Sequence, residues 1–510
     1  MLPAEKQVGL RTACAILKAA AGIQRVEVIL DWQEGADTVH ISDLHPTWQE
    51  YPLRFTAGAT TLEGGVQVKG YGNGSFQIGT LSLMPDDNVQ GFRADVLEKL
   101  KQLNSPVYRW PGGNFVSGYN WKDGIGERDK RPPRKNPAWT GVEHNDVGIH
   151  EFMKLCELLN TEPYIAVNAG QGKAEQARQE LEYTNGSVNT PMGQLRARNG
   201  HPEPWNVKWW AVGNEMYGDW QLGHMPTEEF VRKHNEFADK MRSVDPSVNL
   251  VAVGNVGEWD EMILGHSADN MDYISEHFYR QDWHGGGVIT HTRQVPDAIN
   301  HIAEAHRTYR DTIPELEGKD IRICMDEWNY WYGPHIYGEL GTRYFQKDAL
   351  GIAAGIHEYS RNSDIIYMAN YAQTVNVIGA IKTNDITSSF ATTGLVLMLY
   401  RDQFGKWPVK LEKTYRPLDV AATLTLNKDT LSLGIVNPTD QTWEMPLDLK
   451  NATPAGDATR WIISGPGAEA YNEPGEEPRV TIKGPGKLSN VTSLSVPPLS
   501  AGIVRIPLEK

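Results

Sequence analysis

The stretch Lys208-Trp-Trp-Ala-Val-Gly-Asn-Glu-Met216 indicates the fold more directly than any other part of the chain. In it, an apolar and aromatic run of strand length ends abruptly at Gly213-Asn214-Glu215. A short apolar run that is bounded by a turn signal is typical of a strand buried on both faces, as in parallel sheets. In barrels of parallel strands, the functional side chains lie at the carboxyl ends of the strands. We therefore expect Asn214 and Glu215 to lie at such a rim, and the alternative is an ordinary strand followed by a polar loop.

A second strand of the same kind, Ile321-Arg-Ile-Cys-Met-Asp-Glu-Trp328, ends in Asp326 and Glu327. Two carboxylic acids at strand ends of one domain are the minimum set for hydrolysing a glycosidic bond. If Glu215 and Glu327 face each other across a barrel mouth, their separation is about 5 Å, as a retaining mechanism needs. One carboxyl group must then be protonated near neutral pH and the other ionised.

Helical stretches alternate with buried strands from Val89 to about Gln403, which predicts a parallel sheet in an α/β fold. A closed (β/α)8 TIM-type barrel needs eight strands, and the sequence shows seven, so the missing strand should be the first and precede residue 107. An open doubly wound sheet is the alternative, but we find no Gly-rich phosphate loop to support it. The seven predicted strands are 107–110, 164–168, 208–213, 250–253, 271–275, 321–326 and 365–368.

The chain divides into three predicted domains. Residues 1–88 combine a helix, up to about residue 22, with a small β-rich unit of short alternating runs. Residues 89–404 form the barrel. Residues 405–510 return to short β runs separated by Gly and Pro turns, which indicates a C-terminal β-sandwich.

Charge and composition exclude several classes of function. The net charge of −15 argues against nucleic acid or an anionic membrane as a partner. Cys14, Cys156 and Cys324 are too few and too scattered for a disulfide framework or a zinc site. No run of about 18 apolar residues predicts a membrane span, and no convincing signal peptide is present, so we expect a cytoplasmic location.

Other polar and aromatic side chains follow the predicted strands. Arg109 is the only charged residue of its strand, and it would either orient a catalytic carboxylate or form a surface salt bridge. His277 is a candidate for binding substrate, although a single histidine is more often structural, and Tyr279 is a candidate donor to the nucleophile. Trp331 and Gln373 follow the last two strands. Together these groups form a ring, which packing alone does not explain.

Five motifs resemble glycoside hydrolase family 51, whose best-known members are α-L-arabinofuranosidases and some of whose members are endoglucanases or xylanases. The resemblance extends from about residue 77 to the C-terminus. The motifs are Arg109-Trp-Pro-Gly-Gly-Asn114, Gly118-Tyr-Asn-Trp-Lys-Asp-Gly-Ile-Gly126, Gly213-Asn-Glu215, Asp326-Glu-Trp-Asn-Tyr-Trp-Tyr332 and Ala372-Gln-Thr-Val-Asn-Val377.

The resemblance implies Glu215 as the acid/base and Glu327 as the nucleophile. It also implies a homo-oligomer, and it implies that Trp331 lines the pocket for the sugar whose bond is cleaved. Contacts with the substrate or the nucleophile are implied for Arg109, Asn114, Asn214, Tyr279 and Gln373.

The N-terminal part departs from the family pattern. The Phe-x-Glu motif of the first barrel strand is not found, so the chain is truncated, another strand closes the barrel, or a neighbouring subunit supplies it. Glu276 stands where many relatives have a smaller residue, which suggests a reshaped pocket.

We therefore expect a retaining α-L-arabinofuranosidase that acts on plant polysaccharides such as hemicellulose, or on their oligosaccharides, without cofactor or metal. One alternative is a β-glucanase or xylanase, endo- or exo-acting, on the same scaffold. Another is a carbohydrate-binding protein that has lost turnover.

Overall fold

The computed structural model describes residues 9–59, 61, 63–489 and 491–509. It divides into two compact units. The first comprises Met1–Glu98 with Ile125–Pro132, and the second comprises Lys99–Gly124 with Pro133–Lys510.

The first unit contains two antiparallel sheets of three strands each, in the orders β4-β1-β6 and β3-β2-β5. Alternate side chains of these strands are apolar and form one buried cluster, which includes Leu17, Val26, Leu53 and Phe55. The strands are β1 (Gly9–Ala19), β2 (Ile23–Asp31), β3 (Ala36–Ile41), β4 (Gln49–Ala57), β5 (Gly65–Gly72) and β6 (Phe76–Pro85).

The helix predicted for residues 1 to about 22 is wrong over the described part of that range. Residues 9–19 form β1, which pairs with β4 on one side and β6 on the other. Ala13, Ala15 and Leu17 are buried at every second position, so the apolar period is two. The alanines and Leu17 favour a helix locally, but pairing on both edges overrides that preference. Residues 1–8 lie outside the described part.

The second unit contains seven parallel strands in chain order, and they nearly close into a TIM-type barrel. The predicted barrel is therefore confirmed. The strands are β7 (Val107–Trp110), β8 (Glu162–Val167), β9 (Trp209–Val212), β10 (Asn249–Val253), β11 (Tyr273–Arg280), β12 (Arg322–Tyr330) and β13 (Ile366–Tyr371).

Helices precede or follow most of these strands along the chain. They are α1 (Ala94–Leu103), α2 (Gly113–Ser117), α3 (Ile149–Leu159), α4 (Ala174–Asn185), α5 (Pro191–Arg198), α6 (Thr227–Arg242), α7 (Glu258–Ser267), α8 (Gly287–Thr312), α9 (Gln346–Arg361) and α10 (Thr392–Gln403). In α6, the apolar residues Phe230, Phe237 and Met241 share the buried face, as the helical period requires.

Two strands form the edges of the barrel sheet. Among the described strands, β7 pairs only with β8, and β13 pairs only with β12. The six described strands of the first unit pair among themselves, so none of them takes the position of an eighth barrel strand. A cavity of about 770 Å³ is lined by residues of both edge strands and reaches Asp326 and Glu327.

An irregularity in the pairing of β11 with β12 determines which side chains face the barrel mouth. Ser275 pairs with Cys324, but His277 pairs with Glu327, so β12 has one residue more than β11 between these pairs. Such a bulge changes the direction of the side chains beside it. As a result, both Asp326 and Glu327 contact the same arginine of β7.

The predicted C-terminal β-sandwich is confirmed. A six-stranded sheet, in the order β16-β17-β18-β23-β20-β21, shares an apolar core with the two-stranded sheet β19-β22. The core includes Leu433, Ile435, Met445, Leu494 and Val504.

The strands are β16 (Trp407–Val409), β17 (Asp419–Leu424), β18 (Thr430–Asn437), β19 (Trp443–Pro446), β20 (Ala458–Ser464), β21 (Thr481–Leu488), β22 (Ser493–Val496) and β23 (Ser500–Pro507); a hairpin of β14 (Ile381–Thr383) and β15 (Ser388–Phe390) precedes them. Among the described residues, no helix has the length and apolar character needed to cross a membrane.

Candidate active site

Arg109, at the carboxyl end of β7, connects three strands across the barrel mouth. Its Nη1 donates to Oε1 of Glu327 (2.9 Å), its Nη2 donates to Oδ1 of Asn214 (2.7 Å), and its Nε lies 3.2 Å from Oδ2 of Asp326. The side chain is 8% exposed. Burial alone would lower the pKa of Arg109, but Asp326 and Glu327 raise it above its usual value. The buried charge is therefore paired with two carboxylates, and the salt bridge is not on the surface.

Asp326 is the buried anchor of the site. Tyr164 donates to its Oδ2 (2.8 Å), Ser275 donates to its Oδ1 (2.5 Å), and Nε2 of His277 lies 2.9 Å from the same Oδ1. Burial alone would raise the pKa of Asp326, but the charges of Arg109 and His277 lower it well below its usual value. Asp326 is therefore an anion that holds Arg109 and His277 in place.

Glu327 accepts hydrogen bonds on both carboxylate oxygens. In addition to Arg109 on Oε1, the Tyr279 hydroxyl donates to Oε2 over 2.7 Å. Burial and the adjacent Glu327 raise the pKa of Tyr279 well above 10, so the phenol retains the proton that it donates. Glu327 is thus fixed in one orientation, with donors on each side.

Glu215 follows β9, and its backbone adopts a positive φ of 43°. Its Oε1 lies 2.9 Å from Nδ1 of His277, and its Oε2 accepts a hydrogen bond from the indole N–H of Trp220 over 2.6 Å. Burial alone would raise the pKa of Glu215, but His277, Trp220 and Arg109 lower it below its usual value. With these partners, Glu215 is therefore ionised.

His277 lies between two carboxylates. Because Nδ1 faces Glu215 and Nε2 faces Asp326, both ring nitrogens need a proton, as only the imidazolium form has. Burial would lower the pKa of His277, but Glu327, Asp326 and Glu215 raise it well above its usual value. Both nitrogens thus have protein partners.

Asn214 is held in place by side-chain hydrogen bonds that continue to Gln221 and Ser117. Its Nδ2 donates to Oε1 of Gln221 (3.1 Å), and Nε2 of Gln221 donates to the Ser117 hydroxyl (2.5 Å). All three residues are buried. This chain fixes the amide orientation that presents Oδ1 of Asn214 to Arg109.

The other predicted residues lie around this network. The Trp331 ring packs edge-on against Tyr279, with ring centroids 5.1 Å apart. Gln373 lines the same cavity as Glu327. Asn114 follows the lining residue Gly113 in α2 and is half-buried, and its contact with substrate stays a prediction.

The sequence analysis did not single out Trp220 and gave Asp326 no role. Asp326 carries the same signal that identified Arg109, a charged residue inside an apolar strand, which needs partners if buried. Trp220 lies in a polar loop five residues after Glu215, and no pattern in that loop marks it.

Two groups of side chains in the described part of the chain have a geometry that could hold a metal ion. One is Glu215, His277 and Glu327, whose ligand atoms lie within 4.8 Å of one another. The cations Arg109 and His277 already neutralise these carboxylates, so this group fits paired charges better than a metal.

The other group is Asp260, Glu276 and His306, which are all buried. Glu276 faces away from the barrel mouth, and its Oε1 lies 2.8 Å from Nε2 of His306 in α8. It therefore does not reshape the pocket as the sequence suggested, because successive residues of a strand point to opposite faces. Burial and Asp260 raise the pKa of Glu276 well above its usual value.

The arrangement can perform acid/base chemistry and nucleophilic attack on one substrate atom. A carboxylate oxygen of Glu215 and one of Glu327 lie within 4.8 Å of each other. Retaining glycosidases place their two carboxyl groups about 5–5.5 Å apart, whereas inverting ones leave about 6.5–9.5 Å for a water molecule. The close pair matches the retaining geometry.

The comparisons with known proteins agree with this chemistry. The model of the alpha-L-arabinofuranosidase 1 domain matches residues 99–299, and that of the alpha-L-arabinofuranosidase C-terminal domain matches residues 326–500. The chain is 35% identical over 433 residues to a probable alpha-L-arabinofuranosidase C of Aspergillus fumigatus, covering 77% of this chain and 84% of the relative.

Two bacterial proteins are also similar. An intracellular exo-alpha-(1->5)-L-arabinofuranosidase 1 of Bacillus subtilis is 31% identical, over 72% of this chain and 79% of the relative. The arabinose complex of an alpha-L-arabinofuranosidase from Thermotoga maritima superposes with a TM-score of 0.76 at 33% identity, covering 82% of this chain and 91% of that structure. The chain therefore belongs to the α-L-arabinofuranosidases of glycoside hydrolase family 51.

Proposed function

We infer that this protein is an α-L-arabinofuranosidase (EC 3.2.1.55) that removes arabinofuranosyl residues from plant polysaccharides or oligosaccharides with retention of configuration. The observation that carries the mechanism is the close approach of Glu215 and Glu327 in one cavity, with carboxylate oxygens within 4.8 Å. The family and the relatives support the choice of sugar.

In the first step, Glu215 has taken up a proton from solvent, Glu327 attacks the anomeric carbon, and the glycosidic bond breaks as Glu215 passes that proton to the leaving oxygen. Arg109 and Tyr279 keep Glu327 aimed at that carbon through their hydrogen bonds to its two oxygens. A covalent glycosyl–enzyme intermediate results.

In the second step, Glu215 takes a proton from water, which attacks the anomeric carbon and releases Glu327. The hydrogen bonds and charges that lower the pKa of Glu215 favour its ionised form, which suits this step. His277 accompanies Glu215 through both steps as a neighbouring cation, and we propose that it positions the acid/base instead of binding a sugar hydroxyl, because both of its nitrogens have carboxylate partners.

We further propose that Asn214 acts through Arg109, to which it presents its amide oxygen. Trp331, Gln373 and Asn114 are proposed to line the sugar pocket. The homo-oligomer and the cytoplasmic location expected from the sequence stay predictions.

A panel of nitrophenyl glycosides tests the substrate. The α-L-arabinofuranoside should be hydrolysed, whereas β-D-glucosides and β-D-xylosides should not. Proton NMR early in the reaction should show retained configuration. Preferred cleavage of a β-glucan or xylan, or binding without product across the panel, would contradict the proposed function.

Two variants test the residue roles. Glu327→Ala should lose several orders of magnitude in kcat with every substrate. Glu215→Ala should lose about 10²–10⁴-fold with arabino-oligosaccharides. Its loss should be smaller with nitrophenyl substrates, because nitrophenolate departs without a proton. Glu276→Gln, a buried glutamate on the opposite face of β11, is the control and should retain its activity per folded molecule.

A further inference from the structure

Trp220 combines high exposure with a hydrogen bond to the proposed acid/base. Its side chain is 59% exposed, yet its indole N–H donates to Oε2 of Glu215 over 2.6 Å. A neutral, exposed ring that binds one half-buried carboxylate has no evident structural purpose, since large exposed aromatic groups more often mark binding surfaces.

The loop after β9 is shaped to hold this indole. A Cβ on Gly218 would lie 2.4 Å from a ring atom of Trp220, so only glycine permits this approach. The N–H of Gly218 donates to the carbonyl of Glu215 (2.8 Å), and the N–H of Gln221 donates to the carbonyl of Gly218 (2.9 Å). Because Gln221 is itself tied to Asn214, the loop is connected to the rigid part of the site.

The two oxygens of Glu215 differ in their access. Oε1 faces His277, whose side chain is only 4% exposed, whereas Oε2 faces Trp220. A leaving group that enters from the open side must therefore reach Oε2. The indole N–H binds that oxygen.

We propose that Trp220 is a positioning residue that holds the acid/base ionised while the leaving-group side is empty, and that it yields this hydrogen bond to the leaving sugar when substrate binds. The proposal rests on the proposed function of Glu215. A hydrogen bond donated to a carboxylate favours its charged form, and its loss favours protonation. The acid would thus gain its proton only when a glycosidic oxygen is present, and the exposed ring would offer its face to the leaving sugar.

Several other groups act on Glu215 besides Trp220. They are His277 and Tyr279 on β11, Arg109 on β7, Glu327 on β12 and Tyr217 in its own loop, and Asp326 on β12 acts through its contacts with Arg109 and His277. Trp220 is neutral, so replacing it removes one hydrogen bond and leaves the number of charges around Glu215 unchanged.

The test is the pH dependence of kcat/KM for an α-1,5-linked arabinotriose, measured for the wild type and Trp220→Phe. Phenylalanine retains an aromatic ring but lacks the N–H. Because the alkaline limb reports the acid in the free enzyme, it should move up by about 0.5–1 pH unit in the variant. Trp407→Phe, which alters another exposed tryptophan in the terminal sheet, should leave the limb in place.

Different experimental results would overturn the role of Trp220 and the proposed function. If Glu215 is the acid, the alkaline limb disappears in Glu215→Ala, and a limb that persists there overturns the proposed function. If the limb belongs to Glu215 but does not move in Trp220→Phe, the role of Trp220 is overturned. A lower kcat/KM with an unmoved limb is the result of a merely structural role and also overturns it.

Indole fluorescence gives a second readout in the Glu327→Gln background, which binds without turnover. Arabinotriose extends to the leaving-group side and should change the emission, and this change should be absent when Trp220→Phe is added. Arabinose alone should change the emission much less. An equal change with and without Trp220 would show that the indole does not respond to the leaving sugar.

Discussion

Replacing Asp326 by asparagine tests the electrostatic account of the site. The wild-type carboxylate accepts from Tyr164, Ser275 and His277 and lies 3.2 Å from Nε of Arg109. Asparagine has nearly the same shape but only one accepting oxygen. The amide N–H groups of asparagine would face the N–H and O–H groups that donate to Asp326 in the wild type. Arg109 and His277 would also lose one of the carboxylates that balance their charge.

The expected loss of stability is large because Asp326 is 2% exposed. Removing one partner of a buried ion pair typically costs about 3–5 kcal/mol in the free energy of unfolding. Urea or guanidinium unfolding of the wild type and the variant measures this difference.

The pH dependence of that difference follows from His277. Its pKa is raised on folding, so it stabilises the fold fully below its unfolded value of about 6.5 and progressively less as the pH rises through the folded value. One such group changes the free energy of unfolding by up to about 1.4 kcal/mol per pH unit. Without Asp326 the rise in pKa is smaller, so the gap between the two proteins should narrow as the pH rises from the folded pKa of His277 in the variant to its higher folded pKa in the wild type.

Activity should fall with stability but for a separate reason. Arg109 and His277 lose their common anchor, and small displacements of a reacting group cost about 100-fold in rate. Asp348→Asn is the matched control. That buried aspartate accepts hydrogen bonds from His291, Tyr332 and the Phe345 N–H. The Asp348→Asn variant should therefore lose stability but keep its activity per folded molecule. Wild-type kcat in Asp326→Asn would refute the reasoning, as would a stability gap that widens with pH.

Three further predictions concern the site and the assembly. Tyr279→Phe removes a charge-assisted hydrogen bond to Glu327, worth about 1.5–3 kcal/mol, so kcat/KM should fall about 10- to 100-fold; an unchanged value would remove Tyr279 from the site. Prolonged treatment with EDTA should leave kcat unchanged, because carboxyl chemistry needs no metal; loss restored by a divalent ion would contradict this. Light scattering after size exclusion should give a multiple of 57.0 kDa, and a monomer mass would reject the homo-oligomer.

Sequence patterns predicted most of the barrel because its strands are short apolar runs with abrupt ends. The strand predicted at 107–110 matches β7 residue for residue, and 250–253 lies within β10. The period-two pattern of β1 was hidden by small residues that favour helices. Its sheet neighbours, which decide its structure, are about 40 and 70 residues away along the chain.

The candidate site was only partly predictable. The strand ends identified Glu215 and Glu327, a charged residue inside an apolar strand identified Arg109, and the position of Tyr279 after its strand made it a candidate donor, which the resemblance then supported. Simple alternation along β12 would have placed Asp326 and Glu327 on opposite faces. The bulge between β11 and β12 turns both carboxylates toward Arg109, and no pattern in the local sequence predicts this bulge.

The edge position of β7 has a consequence for how the barrel mouth keeps its shape. This strand has four residues and a backbone partner on one side only, so few main-chain hydrogen bonds fix it. Arg109 supplies the missing restraint through its contacts with Asp326, Glu327 and Asn214 on other strands. The groups proposed for catalysis therefore also hold the edge strand β7 in the barrel. Loss of these contacts should loosen β7 before the rest of the fold, and amide exchange in β7 would report it.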